Sequence, residues 1–231
     1  LTTGFLVLTL TGSTFLTQMV GVGTTAPLIP IGITIGLFGD AFDRRRILLI
    51  ALLVDIAVAA ITALLIFTST VTALHLILLS TVIGSSLIAD QVARRAFVMD
   101  LIGREFLPYG IGLDSFAFVG GLVIGPMIAG LLLDLVPTPN DTNIAIVYAV
   151  MAGCFLAALI LLKQTRPDVR KKTISLTFRS AFRSLGEGFQ IVASNRAVIG
   201  IFGITLLFNI SFPPHHSLIP VFAEKVLNVG P

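Results

Sequence analysis

Residues 36 to 46 read Gly36-Leu-Phe-Gly39-Asp40-Ala-Phe-Asp43-Arg44-Arg45-Arg46, a charged knot flanked on each side by a long apolar run. Charge inside hydrocarbon is expensive, so five charges within seven residues belong at a membrane surface. The flanking runs, Phe15 to Phe38 and Ile47 to Phe67, are each long enough to cross a bilayer. A helix rising about 1.5 Å per residue needs roughly 20 residues for a core about 30 Å thick. The knot is therefore a very short loop between two membrane helices, and the chain is an all-α polytopic membrane protein.

Composition agrees. Only 12% of the 231 residues are charged and 55% are hydrophobic, with a mean hydropathy of +1.02. A soluble domain clothes its surface with roughly 25% charged residues. The sequence pI of 9.4 does not point to nucleic acid, because the basic residues fall between apolar runs and form no compact basic face. Cys154 is the single cysteine and sits in an apolar run, so it offers neither an internal disulfide nor a metal site. Trp is absent, which leaves the interfacial belt to Tyr148, Phe and snorkelling Arg or Lys. Residue 1 is a Leu inside an apolar run without a basic region before it, as expected of a sequence that starts midway through a helix.

One partial and six complete spans are predicted. Leu1 to Leu10 is the end of a first helix, followed by the turn Thr11-Gly12-Ser13-Thr14. Further spans cover Phe15 to Phe38, Ile47 to Phe67, Ala73 to Ala93, Leu107 to Leu135 and Ile144 to Leu162. The seventh runs from Val198, with a break, to Phe222. Every Lys and Arg except Lys225 falls in alternate loops, around Arg44, around Arg94 and Arg104, and from Lys163 to Arg196. By the positive-inside rule these loops are cytoplasmic. Within the last of them Phe178, Phe182, Leu185, Phe189 and Val192 recur at helical spacing. Two readings fit: a helix lying in the membrane interface, or one packed on the bundle ends.

Gly36-x-x-Gly39-Asp40 followed by Arg44-Arg45-Arg46 resembles the loop motif between helices two and three of the major facilitator superfamily. Ala41 and Asp43 replace that motif's first basic residue and second glycine. The variant is similar to the branch of enterobactin exporters and macrolide efflux proteins, as are Ala93-Arg94-Arg95-Ala96 through Asp100 and Phe212-Pro213 with Leu218-Ile-Pro220. On the fifth span Gly121, Gly125, Pro126 and Gly130 resemble the helix-five motif of antiporter-type exporters. The resemblance implies a six-helix bundle over residues 1–163 with an incomplete first helix, an inter-bundle linker over 164–197, and helix seven over 198–231 as the start of a truncated second bundle. It also implies efflux of a small molecule, a drug or siderophore, by alternating access and proton antiport. The expected setting is the cytoplasmic membrane, with the full-length protein monomeric and no cofactor or nucleic acid as partner. Lipid or lysolipid translocation on the same scaffold and a non-transporting interaction or sensor protein are the alternatives. No nucleotide-binding loop, nucleophile–base pair or metal cluster suggests an enzyme.

Asp40 lies at the negative end of the helix dipole, where a carboxylate needs a positive partner. It is either a gate pairing with Arg44, Arg45 or another helix end, or a solvated loop charge. Asp43 is placed to cap the third span, and Asp90 to complete a network with Arg44 or Arg94. Ala117, Gly121, Gly125 and Ala129 form a ridge without side chains, against which another helix can close, and Pro126 loosens that helix. Asp55 lies about 18 Å along its helix from Asp43, near mid-membrane. Such an acid either takes part in proton coupling or holds a static hydrogen bond. Asp114, about two turns into the fifth span, is the second candidate. Asn209 and His215, beside the prolines that interrupt span seven, line either a transport pathway or the outer interface. Ser80 stands where related transporters often carry an Arg.

Overall fold

The computed structural model describes residues 2–38, 43–103, 105–135, 142–165, 197–201, 203–208 and 211. Among these every regular element is helical. The helices are α1 (Thr2–Thr11), α2 (Thr14–Thr25), α3 (Leu28–Phe38), α4 (Arg44–Phe67), α5 (Ala73–Ile102), α6 (Leu107–Leu135) and α7 (Thr142–Gln164). The described residues include five stretches long and apolar enough to cross a membrane, and Ala197–Phe208 adds a shorter apolar helix.

Local chemistry sets the ends. Gly12 takes φ +62°, which reverses the chain between α1 and α2 without steric cost. Ser13 then caps α2 by accepting from the Leu16 N–H at 3.4 Å. Thr72 caps α5 in the same way through the His75 N–H. Asp43 caps α4, its Oδ1 accepting from the Arg45 N–H at 3.0 Å, as its position predicts.

Two spans depart in detail from the sequence expectation. The span from Phe15 to Phe38 is present, Thr14–Ile35 being long and apolar enough to cross a membrane, but it is built of two helices, α2 and α3, which meet at Ala26 and Pro27. Pro27 has no N–H, so the ladder loses its bond to the Gly23 carbonyl. The Thr24 and Thr25 hydroxyls also bond back to the Val20 and Gly21 carbonyls, a pattern that bends helices. The fourth span does not stop at Ala93. α5 runs on for nine residues to Ile102, because nothing breaks it before Gly103, whose φ of +78° ends the helix. Thirty residues at about 1.5 Å each exceed the hydrocarbon thickness. Arg94 and Arg95 therefore lie on a helix rather than in a loop.

α5 packs against α2, α3 and α4, and α4 also runs along α7. The main buried cluster, Leu6, Val7, Val20, Ile66, Leu76, Ile144, Ala145 and Tyr148, sits toward the end away from the arginines. There Tyr148 and Thr3 share a 2.6 Å hydroxyl contact between α7 and α1. A smaller cluster of Leu48, Ala93 and Phe97 underlies the arginine end. α6 is the outlier, with no buried residue among those described.

Among the described glycines, the tightest approach to another helix's backbone is between α2 and α5. A Cβ on Gly84 would overlap the Thr24 carbonyl oxygen and lie 2.7 Å from its carbon. One on Gly23 would lie 2.9 Å from Thr81 Oγ1 and 3.1 Å from the Ile77 carbonyl oxygen. With no hydrophobic drive between helices in lipid, such side-chain-free crossings let dispersion forces hold a bundle together.

Candidate functional site

Consecutive helical residues point about 100° apart, so three arginines in a row at the start of α4 fan out to three destinations. Arg44 reaches α5, donating through Nη1 to Asp100 Oδ1 at 2.7 Å and to the Ala96 carbonyl at 3.1 Å. Arg45 reaches α7, where Nη2 donates to the Lys163 carbonyl at 2.8 Å. That carbonyl is in the last turn of α7, where a cation satisfies both an orphan acceptor and the helix dipole. Arg46 stays outside and meets the capping Asp43 at 3.5 Å, both side chains largely in solvent. The Arg44–Asp100 pair is shielded, with side-chain exposures of 21% and 22%, so it is the stronger tie. The outer pair contributes little.

A second charged layer lies about 9 Å deeper along α5, six residues before Asp100. Arg94 bonds Asp90 one turn back on its own helix and faces Asp114 of α6 across 3.8 Å. Asp90, Asp114 and Arg94 line a cleft of about 220 Å³ between α5 and α6, together with Leu87, Gln91 and Phe118. The cleft is polar at its charged rim and apolar toward Phe118 and Leu87.

Deeper still, Ser86 is buried and donates from α5 to the Ala51 carbonyl of α4 at 3.0 Å. The carboxyl of Asp55 lies beside that hydroxyl. Its Oδ1 is buried and has no hydrogen-bond partner among the described residues. Ser80 bonds its own helix, through the Leu76 carbonyl.

Of the residues that the sequence singles out, the structure brings Asp90, Arg94 and Asp114 together, and ties Arg44 and Arg45 to other helices. Asp90 meets Arg94, whereas Arg44 goes to Asp100, a partner that sequence reasoning missed. Ending the span at Ala93 hid it, because Asp100 faces Arg44 only if α5 continues. Gly121, Gly125 and Gly130 lie on the unbroken helix α6, which contains Pro126. A Cβ on any of these three glycines would meet nothing within 4 Å, so no described helix closes on the ridge. Gly36 is in the last turn of α3. Gly39, Asp40, Asn209, His215 and the linker periodicity from Phe178 to Val192 lie outside the described residues. Within the described residues, no group of three or more His, Cys, Asp or Glu is placed to hold a metal ion.

A bundle of membrane-length helices, tied by charge at the end that carries its arginines, defines the class: a multi-pass helical membrane protein. A profile of the family described as transmembrane secretion effector, within the major facilitator superfamily, matches residues 1–231, and the chain belongs to that family. Comparison with curated proteins and with solved structures finds no significant match. The family is one of transporters, which sets the bundle in a lipid bilayer and makes a small-molecule substrate its natural cargo.

Proposed function

We propose that this protein exports a small amphipathic molecule of the drug or siderophore kind across the cytoplasmic membrane, by alternating access driven by proton antiport. The observation that carries the reading is the shielded Arg44–Asp100 pair. It joins the start of α4, where the loop motif ends, to the end of the long helix α5. A charged tie at a helix end is strong enough to hold one conformation and weak enough to exchange, as a gate requires. The second layer at Arg94 has the same character one level deeper.

The gate extends to Asp40 and Gly39 in the loop motif, and to Gly121, Gly125 and Gly130 of α6 as the seam against which the rest of the protein closes. Asn209 and His215 are assigned to the substrate pathway on the motif resemblance alone. The branch is that of enterobactin and macrolide exporters, on the same resemblance, and residues 164–197 join two bundles.

The test is efflux of a fluorescent amphipathic dye panel from cells making the intact protein. Asp40→Asn is expected to slow efflux by at least about tenfold, a barrier change of about 1.4 kcal/mol, at unchanged membrane abundance. Undiminished efflux in that variant would remove Asp40 from the gate. A protein that moves labelled lysolipid between leaflets but no dye would replace the substrate class.

A further inference from the structure

The cleft between α5 and α6 holds three polar groups with no assigned task. Arg94 is occupied by Asp90 and Asp114. Arg95, its neighbour on α5, also lines the cleft, is exposed and forms no ion pair among the described residues. The Gln91 amide and the Ser115 hydroxyl line the same cleft and make no hydrogen bond among the described residues. Other hydroxyls of α5 behave differently. Ser80, Thr81 and Ser85 each donate to the carbonyl four residues back, which satisfies a hydroxyl without outside help. A guanidinium, an amide and a hydroxyl all donate, so the ligand that suits them is an anion with several acceptor oxygens.

Depth narrows the choice. Arg95 comes 22 residues after Ala73, the first residue of α5, or about 33 Å along the helix. Hydrocarbon is about 30 Å thick, and a bilayer with its headgroups about 40–45 Å. Arg95 therefore falls in the headgroup layer at the arginine end, with Gln91 about one turn deeper. Leu87, Phe118 and Val119 carry the cleft on into hydrocarbon and are exposed. The cleft is layered as the bilayer beside it is layered. Charge narrows the choice again. Two arginines and two aspartates line the cleft, so the lining is neutral and Asp90 and Asp114 oppose a doubly charged phosphate. A phosphodiester carries one negative charge, and the ammonium or hydroxyl at its far end can donate to Asp114.

We propose that the α5–α6 cleft binds a phospholipid headgroup, its phosphodiester held by Arg95, Gln91 and Ser115 and its acyl chains starting over Phe118 and Leu87. Arginine to phosphate is the strong contact, charge-assisted and able to form two parallel bonds. Basic pockets between membrane helices hold headgroups in this way. The lipid ties α6, which buries none of its described residues, to the long helix α5. The site stands whatever the protein exports.

The test is native mass spectrometry of the intact protein in detergent, titrated with dioleoyl phosphatidylethanolamine, dioleoyl phosphatidylglycerol and dioleoylglycerol. Both phospholipids are expected to bind at least about tenfold more tightly than dioleoylglycerol, which has the same chains and no phosphate. Arg95→Gln should weaken the phospholipids at least about fivefold. Arg46→Gln removes the same charge outside the cleft and should change nothing. Dioleoylglycerol binding as tightly as the phospholipids, or an equal loss in Arg46→Gln, overturns the site. So does undiminished phospholipid binding in Arg95→Gln. If Arg95→Gln does not accumulate, Ser115→Ala decides, and unchanged affinity there overturns the site. Millimolar inorganic phosphate should not displace the lipid. Displacement would assign the cleft to a soluble anion and overturn the lipid.

Discussion

Gly84→Leu is expected to abolish accumulation of the folded protein, and Gly84→Ala to lower its stability by about 1–3 kcal/mol, the usual cost of overpacking. Ordinary carbon contacts begin near 3.4 Å, yet an added Cβ here would lie 2.7 Å from the Thr24 carbonyl carbon and 2.8 Å from its Cα. The obstacle is helix backbone and cannot swing aside like a flexible side chain. α2 and α5 would have to part along their length, giving up the Gly23–Thr81 contact as well. Thermal unfolding of the purified protein in detergent, followed by fluorescence from a thiol-reactive dye on Cys154, would measure the change. Gly153→Ala on α7 serves as the control, because no described atom lies within 4 Å of an added Cβ there. It should leave the protein as stable as its parent or raise its stability by up to about 1 kcal/mol. A Gly84→Ala protein as stable as its parent would mean that the crossing is looser than the geometry states.

The second large effect is expected from charge reversal at the outer tie. Arg44→Asp sets an acid against Asp100, and Asp100→Arg sets a base against Arg44. Each should slow dye efflux by at least about tenfold. The combined Arg44→Asp and Asp100→Arg protein should regain a substantial part of the rate, because the pair is restored with its polarity exchanged. The intact pair itself contributes about 1 kcal/mol to stability, since the gain of a charge-assisted hydrogen bond is reduced by partial exposure. Efflux, rather than the melting transition, is therefore the sensitive readout. Full efflux in both single variants would show that the tie plays no part in gating. No recovery in the double variant would show that each residue acts through another partner.

Most of the fold was legible because the hydropathy of a membrane helix is unambiguous over 20 residues. Leu107–Leu135 is predicted to the residue, and the Asp43 cap follows from its side chain alone. The errors have specific causes. Arg94 and Arg95 mark where hydrocarbon ends, which is not where a helix ends, so hydropathy stops α5 short of Ile102 and hides Asp100 as a partner. Pro27 lies inside an apolar run, so hydropathy passes over it although its missing N–H divides the span into two helices. The glycine ridge of α6 drew attention because its spacing repeats. The crossing at Gly23 and Gly84 has no repeat to announce it and emerges only when two helices are set side by side. The sequence offers Asp90 either Arg44 or Arg94, and carrying the helix past Ala93 selects Arg94, one turn away. The approach of Asp114 to that pair depends on how α6 lies on α5, which hydropathy does not encode.

The break at Pro27 and the pinch at Gly84 fall within one turn of each other along α2, and together they make a fulcrum. α3 is the arm beyond it, 11 residues or about 16 Å long. A tilt of about ten degrees at the pinned point would sweep the far end of that arm through on the order of 3 Å. That is the distance over which an ion pair such as Arg44–Asp100 is made or lost. A change of angle at that fulcrum would therefore reach the start of the loop motif as a displacement of ångström size.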